Sequence, residues 1–312
     1  MSMTNTPNPS PTLPRLGDEP IITNTPEPDD QRLWSVTTLI GCLDKPALVP
    51  WAALKTAEAA VHDRAKWLSR LDHEGEASAI DFLKNSRFRG KRGQRSATEL
   101  GKAVHKACEH AALHGKFDPR DTADEELAPF LRQYRQFLSD FRPTYIAAEV
   151  TVFSPRYGYA GTADAFLTID GVNYVVDYKT SREDETARGD LKGPYQEVAL
   201  QLSAYRYADM AAAWRARQHE QFKRRYYLLN ESERAMAVPV PEVDHGLVIY
   251  LTPTRYALHP VRCDEEIFDS FLAVIDAARF VLDVGKDVIG RPLIPPRALH
   301  DSTDPFSDLP TP

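Results

Sequence analysis

The stretch that decides the fold comprises residues 159–180 and reads YAGTADAFLTIDGVNYVVDYKT. β-Branched and aromatic residues dominate it, and Asp170-Gly171 in its middle is a strong signal for a two-residue hairpin turn. A similar run at 145–153 precedes it, separated by the sequence SPRYG at 154–158. We therefore predict three successive antiparallel strands at 145–153, 159–169 and 172–179.

The turn sets the register of these strands. If Asp170-Gly171 forms a two-residue turn, counting outward from it places Asp164 directly opposite Asp177 on one face of the sheet. Lys179 lies two residues beyond Asp177 and points to the same face. If the first loop comprises residues 155–158, Glu149 falls opposite Asp164 on the neighbouring strand.

Three carboxylates beside a lysine on one sheet face need compensation, because like charges directly opposite each other are destabilising. A divalent cation with hard oxygen ligands is the natural candidate. The alternative is a solvent-facing hairpin with scattered charges. Against it, Asp177 and Lys179 interrupt a run, YVV at 174–176, that otherwise reads as a buried strand.

Two helices flank the predicted strands. The sequence SATE at 96–99 has capping-box spacing and predicts a helix that ends near Gly115, with His105 on the flank of its apolar stripe. A long helix is predicted over 194–216. It carries Gln201 and Tyr205 one turn apart on one face.

The sequences GTAD at 161–164 and VVDYKT at 175–180 resemble the paired motifs of the PD-(D/E)XK nuclease superfamily. The RecB-like branch, with the CRISPR-associated and phage exonucleases, adds a histidine on an upstream helix and Gln-x-x-x-Tyr on a later one. His105 matches the first, and Gln201 with Tyr205 matches the second. The four elements occur in family order across residues 96–205. The proline of the superfamily's name is absent, since Ala163 precedes Asp164.

This resemblance implies an α/β fold in which a central mixed β-sheet is flanked by helices, with a PD-(D/E)XK restriction-endonuclease-like core. It also implies a metal-dependent DNA exonuclease with Mg²⁺ as cofactor and Mn²⁺ as a substitute. The implied metal ligands are His105, Asp164, Asp177 and the Tyr178 carbonyl. Lys179 would orient the attacking water, Glu149 would be an additional acidic residue, and Gln201 and Tyr205 would meet the DNA backbone or brace the site.

Cysteine usage excludes one group of relatives. Cys42, Cys108 and Cys263 lie far apart and form no CxxC pair. The chain therefore has no disulfide framework and lacks the cysteines that carry an iron–sulfur cluster in some members of this branch. Their spacing fits a reducing cytoplasm, which would be the host cytoplasm if the chain is phage-encoded.

A basic loop offers a binding surface for DNA although the net charge of the chain is −7. Local patches govern nucleic-acid binding more than net charge does. The loop residues expected to contact phosphates are Lys84, Arg87, Arg89, Lys91, Arg92 and Arg95. A solvated surface loop is the alternative. A second cluster is either a solvated helix end or a further DNA contact, and it comprises Arg215, Arg217, Lys223, Arg224 and Arg225.

Composition places one domain between two tails. Of 24 prolines, seven lie in residues 1–30 and six in 292–312, so we predict disordered tails at 1–30 and 291–312. Residues 31–290 form a single nuclease domain, with an N-terminal helical part at 31–95, a nuclease core at 96–262 and a C-terminal helix at 264–284. We expect Trp34, Trp51 and Trp67 in the core. No apolar run is long enough for a membrane span.

The expected activity is that of a stand-alone nuclease in phage-type recombination, replication or DNA repair. No helicase P-loop is present, so ATP-driven unwinding is not expected. The substrate would be double-stranded DNA ends or single strands, and a recombination or single-strand-binding protein is a candidate partner. One alternative is a structure-specific endonuclease with the same core. Another is a catalytically silent subunit that binds DNA ends.

Overall fold

A computed structural model describes residues 27–45, 48–86, 94–185, 193–221 and 224–293 of the chain. These residues form an α/β fold built on one nine-stranded mixed sheet with helices on both faces. The strands are β1 (Gln31–Ser35), β2 (Thr144–Ser154), β3 (Tyr159–Ile169), β4 (Val172–Thr180), β5 (Met210–Ala211), β6 (Arg217–Gln221), β7 (Arg224–Leu229), β8 (His245–Leu251) and β9 (Tyr256–Val261).

The helices fill the intervals between the strands. They are α1 (Val36–Ile40), α2 (Leu48–His62), α3 (Arg64–Glu74), α4 (Glu76–Lys84), α5 (Ala97–His114), α6 (Pro119–Ala123), α7 (Ala128–Phe141), α8 (Val198–Arg206), α9 (Glu231–Met236) and α10 (Glu265–Leu282). Among the helices that the structure describes, none has the length and apolarity needed to cross a membrane.

The predicted meander β2–β3–β4 is confirmed, including its register. Asp170 and Gly171 have φ values of 50° and 81°, the left-handed backbone that a tight hairpin turn requires. From the Ile169–Val172 pair the ladder continues to Ala165–Val176. The Ala148–Ala165 and Val150–Ala163 pairs flank Glu149, which places it across from Asp164 as predicted.

The sheet forks at β3. One edge of β3 pairs with β2 along its length, while the other edge serves two strands. On this second edge, β1 pairs in parallel with Tyr159 and Ala160, and β4 pairs with residues 165–169. Among the described strands, none pairs with residues 161–164 there, so the GTAD sequence lies in the opening. The carboxyl ends of β1 and β4 both point toward it, and such points of divergence are where open α/β sheets bind ligands.

Each face of the sheet carries its own apolar core. Helices α1, α8 and α10 cover one face through residues such as Val36, Leu202 and Phe271. Helices α5 and α7 cover the other face, where Val104 and Phe137 are fully buried. Alternation along the central strands assigns successive residues to opposite faces. A residue at the fork can therefore be reached from both layers.

Helix α5 begins as the capping-box spacing predicts. Ser96 Oγ accepts a hydrogen bond from Glu99 N at 3.2 Å, and Glu99 Oε2 accepts one from Ser96 N at 2.7 Å. Gly115 ends the helix in the left-handed conformation. The predicted apolar stripe is buried. His105 lies on the flank of this stripe, where it reaches the fork.

One predicted segment was wrong, and one strand was not predicted. Residues 31–35, which precede the predicted helices of the N-terminal part, form β1, because Leu33 and Trp34 are buried where β1 lies between β3 and β7. The helix predicted over 194–216 is only Val198–Arg206, because Met210–Ala211 pairs with β2 as strand β5. Short strands of this kind lack a periodic pattern, and neighbouring strands decide their conformation.

The second basic cluster is not a helix end. Arg217 and Arg224 each begin a strand of the β6–β7 hairpin. Arg217 is buried, where its guanidinium donates to Asp30 Oδ2 at 2.8 Å and to Glu233 Oε2 at 2.7 Å. A buried and paired arginine is structural. Trp34 is in the core as expected, but the Trp51 side chain on α2 is 43% exposed.

We expect Gly161→Ala to destabilise the chain. A Cβ on Gly161 would lie 2.6 Å from Tyr205 Cε1 and 3.1 Å from Val36 Cγ2, so the buried tyrosine ring would have to move. Overpacking of this kind costs about 1–3 kcal/mol, measurable as a lower free energy of unfolding in urea. Gly101→Ala is the matched control. Its Cβ would meet Thr180 Oγ1 at 3.4 Å, an ordinary contact, and alanine in a helix gains up to about 1 kcal/mol. Equal stability of the two variants would contradict the close packing at Gly161.

Candidate active site

The candidate site lies at the fork, where five side chains from four elements come together. Strand β4 contributes Asp177 and Lys179, β3 contributes Asp164, α8 contributes Gln201 and α5 contributes His105. The first three were expected from strand register. The two helical residues reach the site from opposite faces of the sheet, which register alone does not determine.

Asp177 is the most enclosed member, with a side chain that is 4% exposed. Lys179 Nζ lies 2.6 Å from its Oδ2, and Gln201 Nε2 donates to its Oδ1 at 2.8 Å. Oδ2 receives no hydrogen bond of good geometry, so the lysine contact acts as an ion pair. Burial and the nearby Asp164 carboxylate raise the pKa of Asp177 above its ordinary value, and Lys179 opposes the rise.

Asp164 is held from two sides. Its Oδ2 accepts a hydrogen bond from Tyr178 N at 2.6 Å and lies 3.4 Å from His105 Nδ1. The β3–β4 ladder ends at Ala165–Val176, one pair short of the aspartates. Tyr178 N lies beyond the end of this ladder, so it donates to the Asp164 side chain and not to a main-chain oxygen of β3. The two aspartates face each other across the mouth of the fork.

The pKa of His105 is raised by the acids around it. Burial has the largest single effect and lowers the pKa of the ring, but the Asp164 and Asp177 carboxylates together outweigh burial and raise it. The ring also meets the Tyr178 ring edge-on at 5.7 Å between centroids. His105 is thus a half-buried side chain at the edge of the site, as its place on the helix flank predicted.

Glu149 is a third acidic residue near the fork, and its backbone is strained. Its φ of 51° is unusual for a residue other than glycine, and such backbone often occurs at functional sites. Burial, together with the Asp164 and Glu109 carboxylates, raises the pKa of Glu149 to about 8, although His105 opposes this. The side chain is therefore protonated at neutral pH in the chain without a bound cation.

Glu109 was missed at the level of sequence. Burial raises its pKa, Lys106 and Arg215 lower it, and Asp164 raises it further, which places Glu109 in the field of the site. It follows His105 by four residues on α5 and so lies on the same face of that helix. That spacing is the signal that could have identified it.

Tyr178 anchors β4 from the other face of the sheet. Its hydroxyl lies 3.1 Å from Tyr134 OH and 3.3 Å from Tyr145 OH in a buried cluster. The sequence analysis considered only its main-chain carbonyl. The side chain ties β4 to α7 and β2, and this fixes the aspartate and lysine on either side of it.

Tyr205 is buried behind Gln201. The residue is 2% exposed and packs where Gly161 leaves space for the ring. Its hydroxyl accepts a hydrogen bond from Gln201 Nε2 at 3.1 Å, and Gln201 in turn contacts Asp177. Of the two predicted roles for Tyr205, this burial favours bracing the site over contact with the DNA backbone.

The predicted basic loop is only partly described. Arg87, Arg89, Lys91 and Arg92 lie outside the described residues, and Lys84 is exposed in the last turn of α4. Arg95 is not a free cation, because it lies 2.6 Å from Asp124 and 3.4 Å from Glu126. The expectation that Arg95 contacts phosphate stays a prediction, and such a contact would have to compete with these two acids.

The donor atoms at the fork suit a hard cation. Across the described ranges, no group of three or more His, Cys, Asp or Glu residues is arranged to hold a metal ion. Lys179 and His105 instead contact the two aspartates. Two aspartates on facing strands, one with a buried oxygen that receives no hydrogen bond, nevertheless supply the ligand chemistry that Mg²⁺ prefers.

Comparison with known proteins does not assign the chain to a family. No family model matches the chain, and no curated protein matches it. A solved structure described as "Crystal structure of SSO0001" is similar over 60% of this chain and 75% of its own length, with 15% identity and a TM-score of 0.27. A likeness of this size carries no conclusion about fold or function. The function is therefore inferred from the geometry of the site alone.

We expect Glu149→Gln to flatten the pH dependence of stability in EDTA. The folded pKa of about 8 lies above the ordinary 4.5, so the folded chain holds a proton that the unfolded chain releases between these values. The free energy of unfolding of the wild type therefore falls as pH rises through this window. Urea titrations from about pH 5 to about pH 8 measure the slope.

The control for this variant is Glu125→Gln, which removes a charge from an exposed glutamate. It should follow the wild-type profile. If Glu149→Gln loses stability with pH as steeply as the wild type does, Glu149 is not the protonated, buried carboxyl described above.

Proposed function

We propose that this chain is a metal-dependent deoxyribonuclease with a PD-(D/E)XK core, acting as an exonuclease. One observation supports this above the others. The carboxylate of Asp177 lies beside Lys179 Nζ at 2.6 Å and Gln201 Nε2 at 2.8 Å, in the opening of the sheet that also holds Asp164. Paired carboxylates can hold a catalytic cation, and an adjacent lysine can orient a water and offset phosphate charge.

Each side chain has a role in this proposal. Asp164 and Asp177 would hold Mg²⁺, with His105 and the Tyr178 carbonyl as further ligands and Mn²⁺ as a substitute. Once bound, the ion lowers the pKa of a coordinated water and stabilises negative charge on the phosphate. Lys179, 39% exposed, is the member of the set most open to solvent and is free to orient the water and offset phosphate charge.

Gln201 has a positioning role. Its amide bridges Asp177 Oδ1 and the hydroxyl of buried Tyr205, so one carboxylate oxygen is fixed while the other faces Lys179. Catalysis depends on such preorganisation because misplacement of a reacting group by about 1 Å can cost a hundredfold in rate. Glu149 would act as a further acidic group beside Asp164.

We expect Lys179→Ala to abolish magnesium-dependent cleavage of DNA. Loss of a charged group that stabilises the transition state lowers kcat by roughly a hundredfold to a thousandfold. Release of label from end-labelled linear DNA, with magnesium or with EDTA, measures the effect. Lys66→Ala is the control, since this lysine is an exposed surface residue paired with Asp63 on α3.

Two results would contradict the proposal. Full activity of Lys179→Ala would remove the lysine from the chemistry. A wild type that binds DNA ends but cuts neither with magnesium nor with manganese would instead support the catalytically silent end-binding subunit. Urea unfolding of Lys179→Ala beside the wild type shows whether the variant folds, because loss of this lysine leaves the buried Asp177 carboxylate without its ion pair.

Closed-circular DNA distinguishes exonuclease from endonuclease. We expect the wild type to degrade linear DNA and leave a closed circle of the same sequence intact, since an exonuclease requires an end. Nicking of the circle would favour the structure-specific endonuclease with the same core.

A further inference from the structure

A cleft of about 290 Å³ opens beside Lys179 on the α8 side of the fork. Its lining includes Lys179 and Gln201, the two residues that contact Asp177. Its walls come from the chain around α1 and from the segment that leads into α8. The cleft therefore borders the candidate active site directly.

Tyr195 stands in the wall of this cleft with its side chain 76% exposed. Among the aromatic residues that the structure describes, it is the most exposed; Phe280 follows at 55%. Most tyrosines here are buried or half-buried, so an open ring beside a reactive lysine is unusual for this chain. A tyrosine ring offers a flat face on which a nucleic-acid base can stack.

Two lysines line the cleft, and each is paired with an acid. Lys45 lies 3.1 Å from Glu197, which joins the chain after α1 to the segment before α8. Lys179 lies 2.6 Å from Asp177, so the two ion pairs leave no excess positive charge. A cation held by Asp177 would release Lys179 to contact a phosphate. Apolar groups of Ile40 and Val198 complete the walls.

We infer that this cleft is a subsite for one unpaired nucleotide of a single-stranded DNA end, with its base stacked on Tyr195 and its phosphate toward Lys179. The inference rests on the proposed function, which it deepens by naming the substrate class. An exposed aromatic ring, a small cleft and the presence of Lys179 in its lining are the three observations that carry it.

The dimensions of the cleft and the open ring of Tyr195 favour an unpaired nucleotide. Ligand pockets usually measure about 300–1,000 Å³, so this cleft is at the lower limit and matches a single small ligand. A base inside a duplex also has no free face for Tyr195. A duplex end would have to open its terminal pair first, at a cost of a few kcal/mol. Single strands and overhangs should therefore be preferred to blunt ends.

The test uses full-length protein and an oligonucleotide with the fluorescent base 2-aminopurine at its terminal or at an internal position. Binding is followed in EDTA and again with calcium, so that cleavage does not interfere. We expect the wild type and Tyr195→Phe to quench the terminal 2-aminopurine. Tyr195→Ala should lose the quenching and bind the single strand about tenfold more weakly, the effect of one lost stacking contact.

Phe280→Ala is the matched control, because it removes an exposed aromatic ring that does not line the cleft. It should behave as the wild type. The inference is overturned if Tyr195→Ala quenches and binds as the wild type does, or if the internal 2-aminopurine responds as strongly as the terminal one.

Cleavage with magnesium is measured in parallel, so that the two proposals can fail separately. Quenching that depends on Tyr195 without cleavage would support the nucleotide subsite and overturn the nuclease. Cleavage together with quenching that does not depend on Tyr195 would support the nuclease and overturn the subsite. A wild type that binds no DNA end would overturn the subsite as well.

Discussion

The structure depends on one edge of β3 being shared by two strands. Strand β1 takes the start of that edge and β4 takes its end, and residues 161–164 lie between them. Packing is close at the start of this opening, since Tyr205 and Val36 approach Gly161 so closely that no side chain fits there. Asp164 then follows at the point where the ladder has ended, and its carboxylate replaces the missing strand partner of Tyr178 N.

This geometry explains the electrostatics of the site. Because the sheet is open at the fork, groups from both helical layers can reach the carboxylates. Gln201 contacts Asp177 from the α8 layer, and His105 contacts Asp164 from the α5 layer. The raised pKa values of Asp177, Glu149 and Glu109 share one cause, the burial of several acids near one another. Such crowding disfavours the ionised, cation-free chain, and the two hydrophobic cores must offset its cost.

The acidic fork and the neighbouring cleft differ in chemistry. The fork gathers carboxylates whose mutual repulsion a cation would relieve. The cleft presents a lysine, an ion pair and an open aromatic ring, which suit a phosphate and a base. Lys179 belongs to both, because it contacts Asp177 and also lines the cleft. A chain with a net charge of −7 can therefore offer an anion a local positive group without a basic surface overall.

Local sequence alone determined the meander, its two registers and the capped helix that carries His105. Each follows from interactions within a few residues: the Asp170-Gly171 turn, period-two alternation and the Ser96–Glu99 capping box. Local sequence thereby placed four residues in one region of the sheet: Asp164, Asp177, Lys179 and Glu149. Only the tertiary structure decided that β1 is a strand and that α8 ends at Arg206. It also decided that Arg95 and Arg217 are paired with acids, and that Tyr195 lines the same cleft as Lys179. These depend on partners that are distant in the chain, and no local periodicity encodes a contact between Tyr205 and Gly161 or between Arg217 and Asp30.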